Sequence, residues 1–365
     1  MREEDYSIYM RRCLDLAVKA EGMTYPNPMV GAVVVHNNMI IGEGYHRAAG
    51  SPHAEVNAIS SVKEKHLLKD SILFVSLEPC SHFGKTPPCT DLIISSGIPF
   101  VVTGTRDTSE KVNGKGIEQL KRAGIKVVCG VLESECRRVN RRFFSFHEKK
   151  RPYITLKWAQ SADGFIDIVR PQNSTPEPYW ITGKAERVLV HIWRSQEEAI
   201  LAGGETIRRD RPKLNVRYWS GNSPLRVILS RSGEVGDLSE ENETKNLIFT
   251  FNNKKNPRKD CEYIVLKEGD MPAQKICEVL YAKGISSLLI EGGALVHEMF
   301  IKAGLWDEAR IFTGSRIFGS GKKAPRIDGV RADEFSFEQV TLKLVMNNTG
   351  TGLQINPEKI NFEFV

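Results

Sequence analysis

The chain has 365 residues, of which 41% are hydrophobic and 26% charged, as expected for a globular protein of two or more domains. Its formal net charge of +6 is small, and basic and aromatic residues are not interleaved, so the composition argues against a protein built around nucleic-acid binding. No apolar stretch is long enough to span a bilayer, so we expect a cytoplasmic protein with no membrane partner. Seven cysteines favour reduced thiols over a disulfide framework.

The first predicted elements are a helix and a hairpin. Apolar residues recur at helical spacing between Asp5 and Glu21, and Gly22 is a plausible stop. Two strand-like runs follow, at 27–35 and 39–44, joined by a short polar turn. The pattern therefore predicts a helix packed beside a β-hairpin.

The most informative stretch is an H-x-E motif at 53–55, followed by a strand-like run and two Pro-Cys pairs. One imidazole and two thiolates suit a tetrahedral zinc whose fourth position is open to water, and zinc deaminases use a glutamate at this spacing as proton shuttle. We therefore predict His53, Cys80 and Cys89 as metal ligands and Glu55 as catalytic general acid and base. The alternative, a core histidine with buried structural cysteines, explains each residue alone but not the combined pattern.

Eight residues separate the two cysteines, where the general deaminase signature has two. This loop presents His82, Lys85 and Thr86, donors suited to a phosphate or a polar heterocycle and predicted to bind substrate. The whole run 78–89, EPCSHFGKTPPC, resembles the zinc motif of the bifunctional riboflavin-biosynthesis deaminase/reductase family, RibD (also called RibG).

For the first half the resemblance implies a cytidine-deaminase-like fold, a mixed sheet with helices, in agreement with the strand-helix alternation that continues to residue 130. It also implies that Asn27, His46 and Asp107 contact the substrate. An asparagine before proline is also an ordinary turn residue, so for Asn27 both interpretations stand. Near Asp107 the family usually has D-P-N, and Thr108 departs from that pattern.

A charged run ending in proline at 143–152 predicts a domain boundary, which gives a first domain at 1–150 and a second at 151–365. Four arginines just before it, at 137, 138, 141 and 142, have i,i+4 spacing and predict a solvated helix face.

In the second half, two glycine pairs, Gly203-Gly204 and Gly292-Gly293, follow strand-like runs and precede predicted helices. Such a turn lets backbone N–H groups approach phosphate oxygens, although many strand-helix turns use glycine for geometry alone. Neither pair matches G-x-G-x-x-G, so a Rossmann domain is not expected.

These motifs resemble the reductase domain of the same family, which implies a dihydrofolate-reductase-like α/β fold and NADPH as cofactor. Carried over by position, the cofactor contacts are Ala159, Trp180, Thr206, Asp210, Gly293, Ala294, Leu295, Val296, His297, Glu298 and Met299. The substrate contacts are Arg194, Leu214, Arg217 and Glu291, and Asp210 is also predicted to be catalytic. Guanidinium groups suit the substrate's 5-phosphate through paired donors. Pro178, Arg211 and Arg231 depart from the family pattern.

The resemblance thus implies two consecutive enzymes of riboflavin synthesis, one zinc-dependent and one NADPH-dependent, acting on a phosphoribosylaminopyrimidine. We also expect a homo-oligomer. One rival is a deaminase of nucleic-acid bases with a binding domain as its second half, which the near-balanced charge disfavours. Another is a zinc-stabilised scaffold without catalysis, which leaves Glu55 and an open metal position unexplained.

Overall fold

The computed structural model describes residues 5–83, 87–110, 112–170, 179–236, 238, 246–252 and 258–347. The chain divides into two compact units, Met1–Lys150 and Arg151–Val365. The first unit contains α1 (Tyr6–Val18), β1 (Gly31–His36), β2 (Met39–Tyr45), α2 (Ala54–Ser61), a 3₁₀ helix (Lys65–Asp70), β3 (Ile72–Val75), α3 (Cys89–Ser95), β4 (Phe100–Thr103), α4 (Lys115–Arg122), β5 (Lys126–Cys129), α5 (Glu133–Val139) and α6 (Arg141–Lys149).

The strands of the first unit form one mixed sheet in the order β2-β1-β3-β4-β5. β1 is antiparallel to β2 and β3, whereas β3, β4 and β5 run parallel. Alternate residues of β1 pack into two different clusters, Ala32 and Val34 with α2 and α3, Val33 and Val35 with α1. Because helices cover both faces, the central strands are almost continuously apolar.

The predicted hairpin is confirmed. Asn37 and Asn38 connect β1 to β2 with φ values of 47° and 63°. Two consecutive left-handed residues match the right-handed twist of the flanking strands, and asparagine tolerates that conformation better than most residues do.

The expectation of a solvated arginine face is wrong for Arg142. Helix α5 ends before Asn140 and helix α6 begins after it. The four arginines therefore do not share one continuous helix. The Arg142 side chain is only 3% exposed and pairs with Glu21 at 3.2 Å. Its partner is 121 residues away, and helical spacing alone could not indicate it.

The second unit contains β6 (Tyr153–Gln160), β7 (Phe165–Ile168), α7 (Lys184–Ser195), β8 (Ala199–Gly203), α8 (Gly204–Asp210), β9 (Leu225–Leu229), β10 (Asn246–Thr250), β11 (Cys261–Val265), α9 (Pro272–Ala282), β12 (Ser287–Ile290), α10 (Ala294–Lys302), β13 (Glu308–Gly314), β14 (Gly321–Lys323), β15 (Val330–Ser336) and β16 (Val340–Met346). A separate ribbon pairs β7 with β14.

The main sheet of the second unit has the order β11-β10-β9-β8-β12-β6-β13-β16-β15. The strands from β11 to β13 are parallel, and β16 and β15 add an antiparallel edge. Consecutive residues of β8 enter different clusters, which shows that helices cover both faces here too. In this parallel arrangement the carboxyl ends of β6, β8 and β12 lie at one edge, where α/β sheets bind ligands.

Candidate active sites

The predicted metal ligands meet in the first unit. His53 precedes α2, Cys80 follows β3, and Cys89 is the first residue of α3. His53 Nδ1 lies 3.5 Å from Cys80 Sγ and 3.3 Å from Cys89 Sγ. Zinc bonds of about 2.0–2.3 Å at tetrahedral angles separate ligand atoms by roughly 3.3–3.8 Å, so this donor set fits zinc. Three protein ligands are the number typical of catalytic zinc sites.

The two thiols differ in their local electrostatics. The pKa of Cys80 is lowered, chiefly because Cys89 hydrogen-bonds to its sulfur, and the main-chain N–H of Cys89 also donates to it at 3.3 Å. The pKa of Cys89 is raised by that same hydrogen bond and by burial. Metal binding requires both sulfur atoms as thiolates.

Glu55 lies in the first turn of α2 and is only 3% exposed. Burial, with a smaller contribution from the charge of Cys80, raises the pKa of Glu55 to about 7. A carboxyl group whose pKa lies near neutrality is suited to take up and release a proton during catalysis.

Two predicted substrate contacts adjoin the metal ligands. Asn27 Nδ2 lies 3.1 Å from His46 Nε2, and the His46 ring packs edge-on against that of His53 at 5.4 Å. His46 Nδ1 is 3.2 Å from the carbonyl oxygen of Pro52, so Nδ1 carries the proton and Nε2 accepts from Asn27. The Asn27 loop is held by Asn140, whose amide exchanges two 2.8 Å hydrogen bonds with the main chain of Met29.

The remaining predicted contacts of this site differ in their surroundings. Asp107 is buried and accepts the main-chain N–H of Ser109 at 2.7 Å. His82 is half-buried, and its Nδ1 has no hydrogen-bond partner among the described residues. Lys85 and Thr86 lie outside the described residues.

Sequence reasoning assigned no role to Glu78, two residues before Cys80. Its buried carboxylate accepts the main-chain N–H groups of Asp107, Gly114, Gly116 and Ile117 at 3.2, 3.0, 2.9 and 3.1 Å. A Cβ at Gly116 would lie 2.0 Å from the carbonyl oxygen of Pro79, so only glycine permits this approach. Through these hydrogen bonds, Glu78 connects the segment that carries Cys80 to the Asp107 loop and to the start of α4.

The second unit brings together a charged cluster at the end of β12. Arg194 forms a two-pronged ion pair with Glu291, with N–O distances of 2.7 and 2.8 Å. Lys157 Nζ lies 3.6 Å from the same carboxylate. Burial raises the pKa of Glu291, but the charges of Arg194 and Lys157 outweigh it and lower the pKa to about 2. Glu291 is therefore a fixed anion, and Lys157 is a cation of this site that sequence reasoning did not assign.

The other predicted substrate contacts follow α8. Leu214 is 2% exposed and packs into a core cluster, so its side chain faces the protein interior. Arg217 is exposed, donates to Asn215 Oδ1 at 3.0 Å and lies over the Tyr218 ring at 5.0 Å. Arg217 therefore presents its guanidinium at the surface.

The two glycine turns lie side by side. A Cβ at Gly292 would be 2.7 Å from Ala202 Cβ, and one at Gly293, where φ is +75°, would be 3.2 Å from Thr206 Oγ1. A left-handed φ and this close approach together require glycine at 293. The turns follow the parallel neighbours β8 and β12, so both lie at the same edge of the sheet.

The other predicted cofactor contacts differ in their burial and in the groups that they contact. Asp210 forms an ion pair with Arg170 at 3.1 Å, and burial raises its pKa. Trp180 is 47% exposed and lies over Arg187. His297 is buried, and its ring nitrogens contact the carbonyl oxygens of Gly293, Lys157 and Ile290, so its side chain faces inward. Of the rest, Ala159 lies on β6 and Ala294, Leu295, Val296, Glu298 and Met299 lie on α10, where Leu295 is 72% exposed.

Two family models match the chain in succession. The model of the cytidine and deoxycytidylate deaminase zinc-binding region matches residues 3–105, and the model of the RibD C-terminal domain matches residues 152–352. The riboflavin biosynthesis protein RibD of Aquifex aeolicus is 39% identical over 363 residues, covering 97% of this chain and 98% of its own. The chain belongs to the RibD family.

RibD relatives also share the fold. The crystal structure of the Thermotoga maritima diaminohydroxyphosphoribosylaminopyrimidine deaminase/5-amino-6-(5-phosphoribosylamino)uracil reductase has a TM-score of 0.84 at 36% identity, covering 94% of this chain and 99% of its own. Acinetobacter baumannii RibD gives a TM-score of 0.83 at 28% identity, with the same coverage. RibD of Escherichia coli K12 is 32% identical over 356 residues, covering 91% of this chain and 95% of its own.

These matches confirm the predicted family, its two-part fold class and its function: the chain is a RibD-type bifunctional deaminase and reductase of riboflavin biosynthesis. The zinc site of the deaminase region consists of His53, Cys80 and Cys89. Among the described residues, no helix is both long and apolar enough to cross a membrane. The individual substrate and cofactor contacts stay predictions.

Proposed function

We propose that residues 1–150 form a deaminase domain that converts 2,5-diamino-6-(5-phosphoribosylamino)pyrimidin-4(3H)-one to 5-amino-6-(5-phosphoribosylamino)uracil. Residues 151–365 then form a reductase domain that uses NADPH to convert this product to 5-amino-6-(5-phosphoribitylamino)uracil. The observation that carries the proposal is the buried Glu55 beside the His53, Cys80 and Cys89 group, on a chain that also holds the Arg194–Glu291 cluster. The name of the Thermotoga maritima relative supplies the two substrates.

In the deaminase, His53, Cys80 and Cys89 would hold zinc, which would act as a Lewis acid and lower the pKa of water. Glu55 then takes a proton from water and passes it to the leaving amine, and its pKa of about 7 suits both transfers. Water adds to the ring carbon, the C–N bond breaks, and ammonia leaves behind a carbonyl group. Asn27 and His46, beside His53, orient the pyrimidine.

In the reductase, NADPH supplies the hydride. Main-chain N–H groups of the glycine turns and the Thr206 hydroxyl would donate hydrogen bonds to the cofactor's phosphates at this edge of the sheet. The close approach of Gly293 to Thr206 supports this. Reduction adds hydride to C1 of the ribosyl group and a proton to the ring oxygen as the C1–O bond breaks. Glu291 remains ionised and positions Arg194 and Lys157. Burial raises the pKa of Asp210, the carboxylate predicted to be catalytic.

An assay of the full chain tests the proposal. One assay measures ammonia release from the diaminopyrimidine, and RNA replaces the pyrimidine in a parallel sample. A second assay measures NADPH oxidation with the deaminated product, and NADH replaces NADPH in a parallel sample. We expect both reactions with the pyrimidine, none with RNA, and faster oxidation of NADPH than of NADH. Ammonia release from RNA would favour a nucleic-acid deaminase, and neither reaction would favour a scaffold. Light scattering tests the predicted homo-oligomer.

A further inference from the structure

His191 is a buried residue of α7 that no prediction from the sequence included. It precedes Arg194 by three residues, so both side chains leave the same face of the helix. His191 Nδ1 accepts the main-chain N–H of Arg217 at 3.1 Å, and Arg194 Nη1 donates to the main-chain oxygen of Asn215 at 3.1 Å. Two α7 side chains thus hold neighbouring main-chain groups of the segment 214–217.

The contact with Arg217 defines the tautomer of His191. Because Nδ1 accepts a hydrogen bond it carries no proton, and the neutral ring has its proton on Nε2. Burial, followed by the charges of Arg194 and Arg217, lowers the pKa of His191 to about 4, so the ring stays neutral at physiological pH. A neutral imidazole therefore remains a hydrogen-bond acceptor between two guanidinium groups.

The segment that His191 holds is a loop anchored at each residue: Leu214 packs into the core, Arg194 binds Asn215, and the Val216 N–H donates to Ser223 Oγ at 3.0 Å. It lies between α8 and β9, outside any helix or strand, and Leu214 adopts a left-handed φ of 52°, which costs a non-glycine residue about 1 kcal/mol. The Tyr218 ring packs edge-on against His191 at 4.8 Å, and the Arg217 guanidinium lies over that ring. His191 Nδ1 accepts the main-chain N–H of Arg217 itself, so this contact bears directly on where the Arg217 main chain lies.

We propose that His191 is a positioning residue of the reductase, whose Nδ1 holds the main chain of Arg217 so that the guanidinium faces the 5-phosphate of the substrate. The inference rests on the proposed function, in which Arg217 is a phosphate contact. It assigns His191 no contact with the reacting atoms, so its effect belongs to substrate binding rather than to hydride transfer.

Two variants of the full chain distinguish the roles of the two ring nitrogens of His191. In His191→Asn the amide oxygen lies near the position of Nδ1 and can accept the Arg217 N–H, whereas in His191→Gln the amide reaches the position of Nε2. We expect His191→Asn to keep the KM for 5-amino-6-(5-phosphoribosylamino)uracil within about threefold of the unmodified chain. We expect His191→Gln to raise that KM by roughly tenfold or more with little change in kcat, because the main-chain N–H of Arg217 loses its acceptor.

A second measurement does not depend on activity. Hydrogen exchange of the Arg217 amide, followed by mass spectrometry, should be slow in the unmodified chain and in His191→Asn and at least tenfold faster in His191→Gln. Deamination by the same variants is the internal control and should not change. Equal exchange in both variants, or a larger KM increase in His191→Asn than in His191→Gln, would overturn the inference. An unmodified chain that oxidises no NADPH would instead reject the proposed function, while the exchange rates still test the hydrogen bond.

Discussion

In the proposed deaminase mechanism, Glu55 is the residue that transfers the proton. Glu55→Gln keeps the shape of the side chain and all three metal ligands but removes the group that transfers the proton. We expect deamination to fall by about 10²–10⁴-fold while zinc content and NADPH-dependent reduction stay unchanged. Rate measurements with metal analysis of the same sample check this. Loss of zinc from the variant would show instead that Glu55 is a metal ligand.

Glu291 makes the stability of the second unit depend on pH. A folded-state pKa of about 2, below the ordinary 4.5, means that Glu291 stabilises the fold above about pH 4.5 and that this contribution is lost as the pH falls towards 2. Glu291→Gln should therefore cost on the order of 3 kcal/mol at pH 7 and progressively less below pH 4.5. Urea unfolding followed by tryptophan fluorescence reports this unit alone, because all five tryptophans lie after residue 150.

Glu298 is partly exposed and pairs with Lys302 at 3.8 Å, and it supplies the control for that experiment. Glu298→Gln should change stability by less than about 1 kcal/mol at any pH, since surface ion pairs contribute little. A stability difference between Glu291→Gln and the unmodified chain that did not vary with pH would contradict the assigned role of Glu291.

At the scale of elements, Glu78 connects the end of β3 to α4 and to the Asp107 loop through four main-chain N–H groups. Glu78→Gln leaves one acceptor oxygen and turns an amide donor towards N–H groups. We expect the first unit to lose on the order of 2–4 kcal/mol and to release zinc to a chelator faster, while reduction persists. Thermal melting and chelator competition measure the two effects.

A matched variant is Glu118→Gln on α4, because the Glu118 side chain is 65% exposed and forms a surface ion pair with Arg122 at 3.3 Å. It should melt and hold zinc like the unmodified chain. If Glu78→Gln behaved in the same way, the carboxylate of Glu78 would not be what connects the metal site to its surroundings.

At the scale of the whole molecule, we expect the two activities to be separable near residue 150. The site residues of each proposed reaction lie within one of the two compact units. Residues 151–365 made alone should bind NADPH and reduce the deaminated intermediate. In the full chain, Asp210→Ala should impair reduction and leave deamination nearly intact. A fragment with a cooperative melt that neither binds NADPH nor reduces the intermediate would contradict this prediction.

The metal site and the strand-helix turns could be predicted because their signals are local. The H-x-E motif and the two Pro-Cys pairs lie within 37 residues, and each ligand adjoins the end of a strand or the start of a helix. Hydrophobic periodicity and glycine pairs likewise report on a few neighbouring residues. The sequence by itself therefore determined the zinc chemistry, the division into two halves and the types of elements.

Only the tertiary structure decided which polar groups hold these motifs in place. Asn140 bonds to Met29 across 111 residues, Arg194 to Glu291 across 97, and His191 to Arg217 across 26. A hydrogen bond requires its atoms to approach within about 3 Å, and the path of the chain sets that distance rather than local composition. For the same reason the sequence did not indicate that Glu78 binds four main-chain N–H groups. Nor did it indicate that Arg142, predicted to be solvated, is buried.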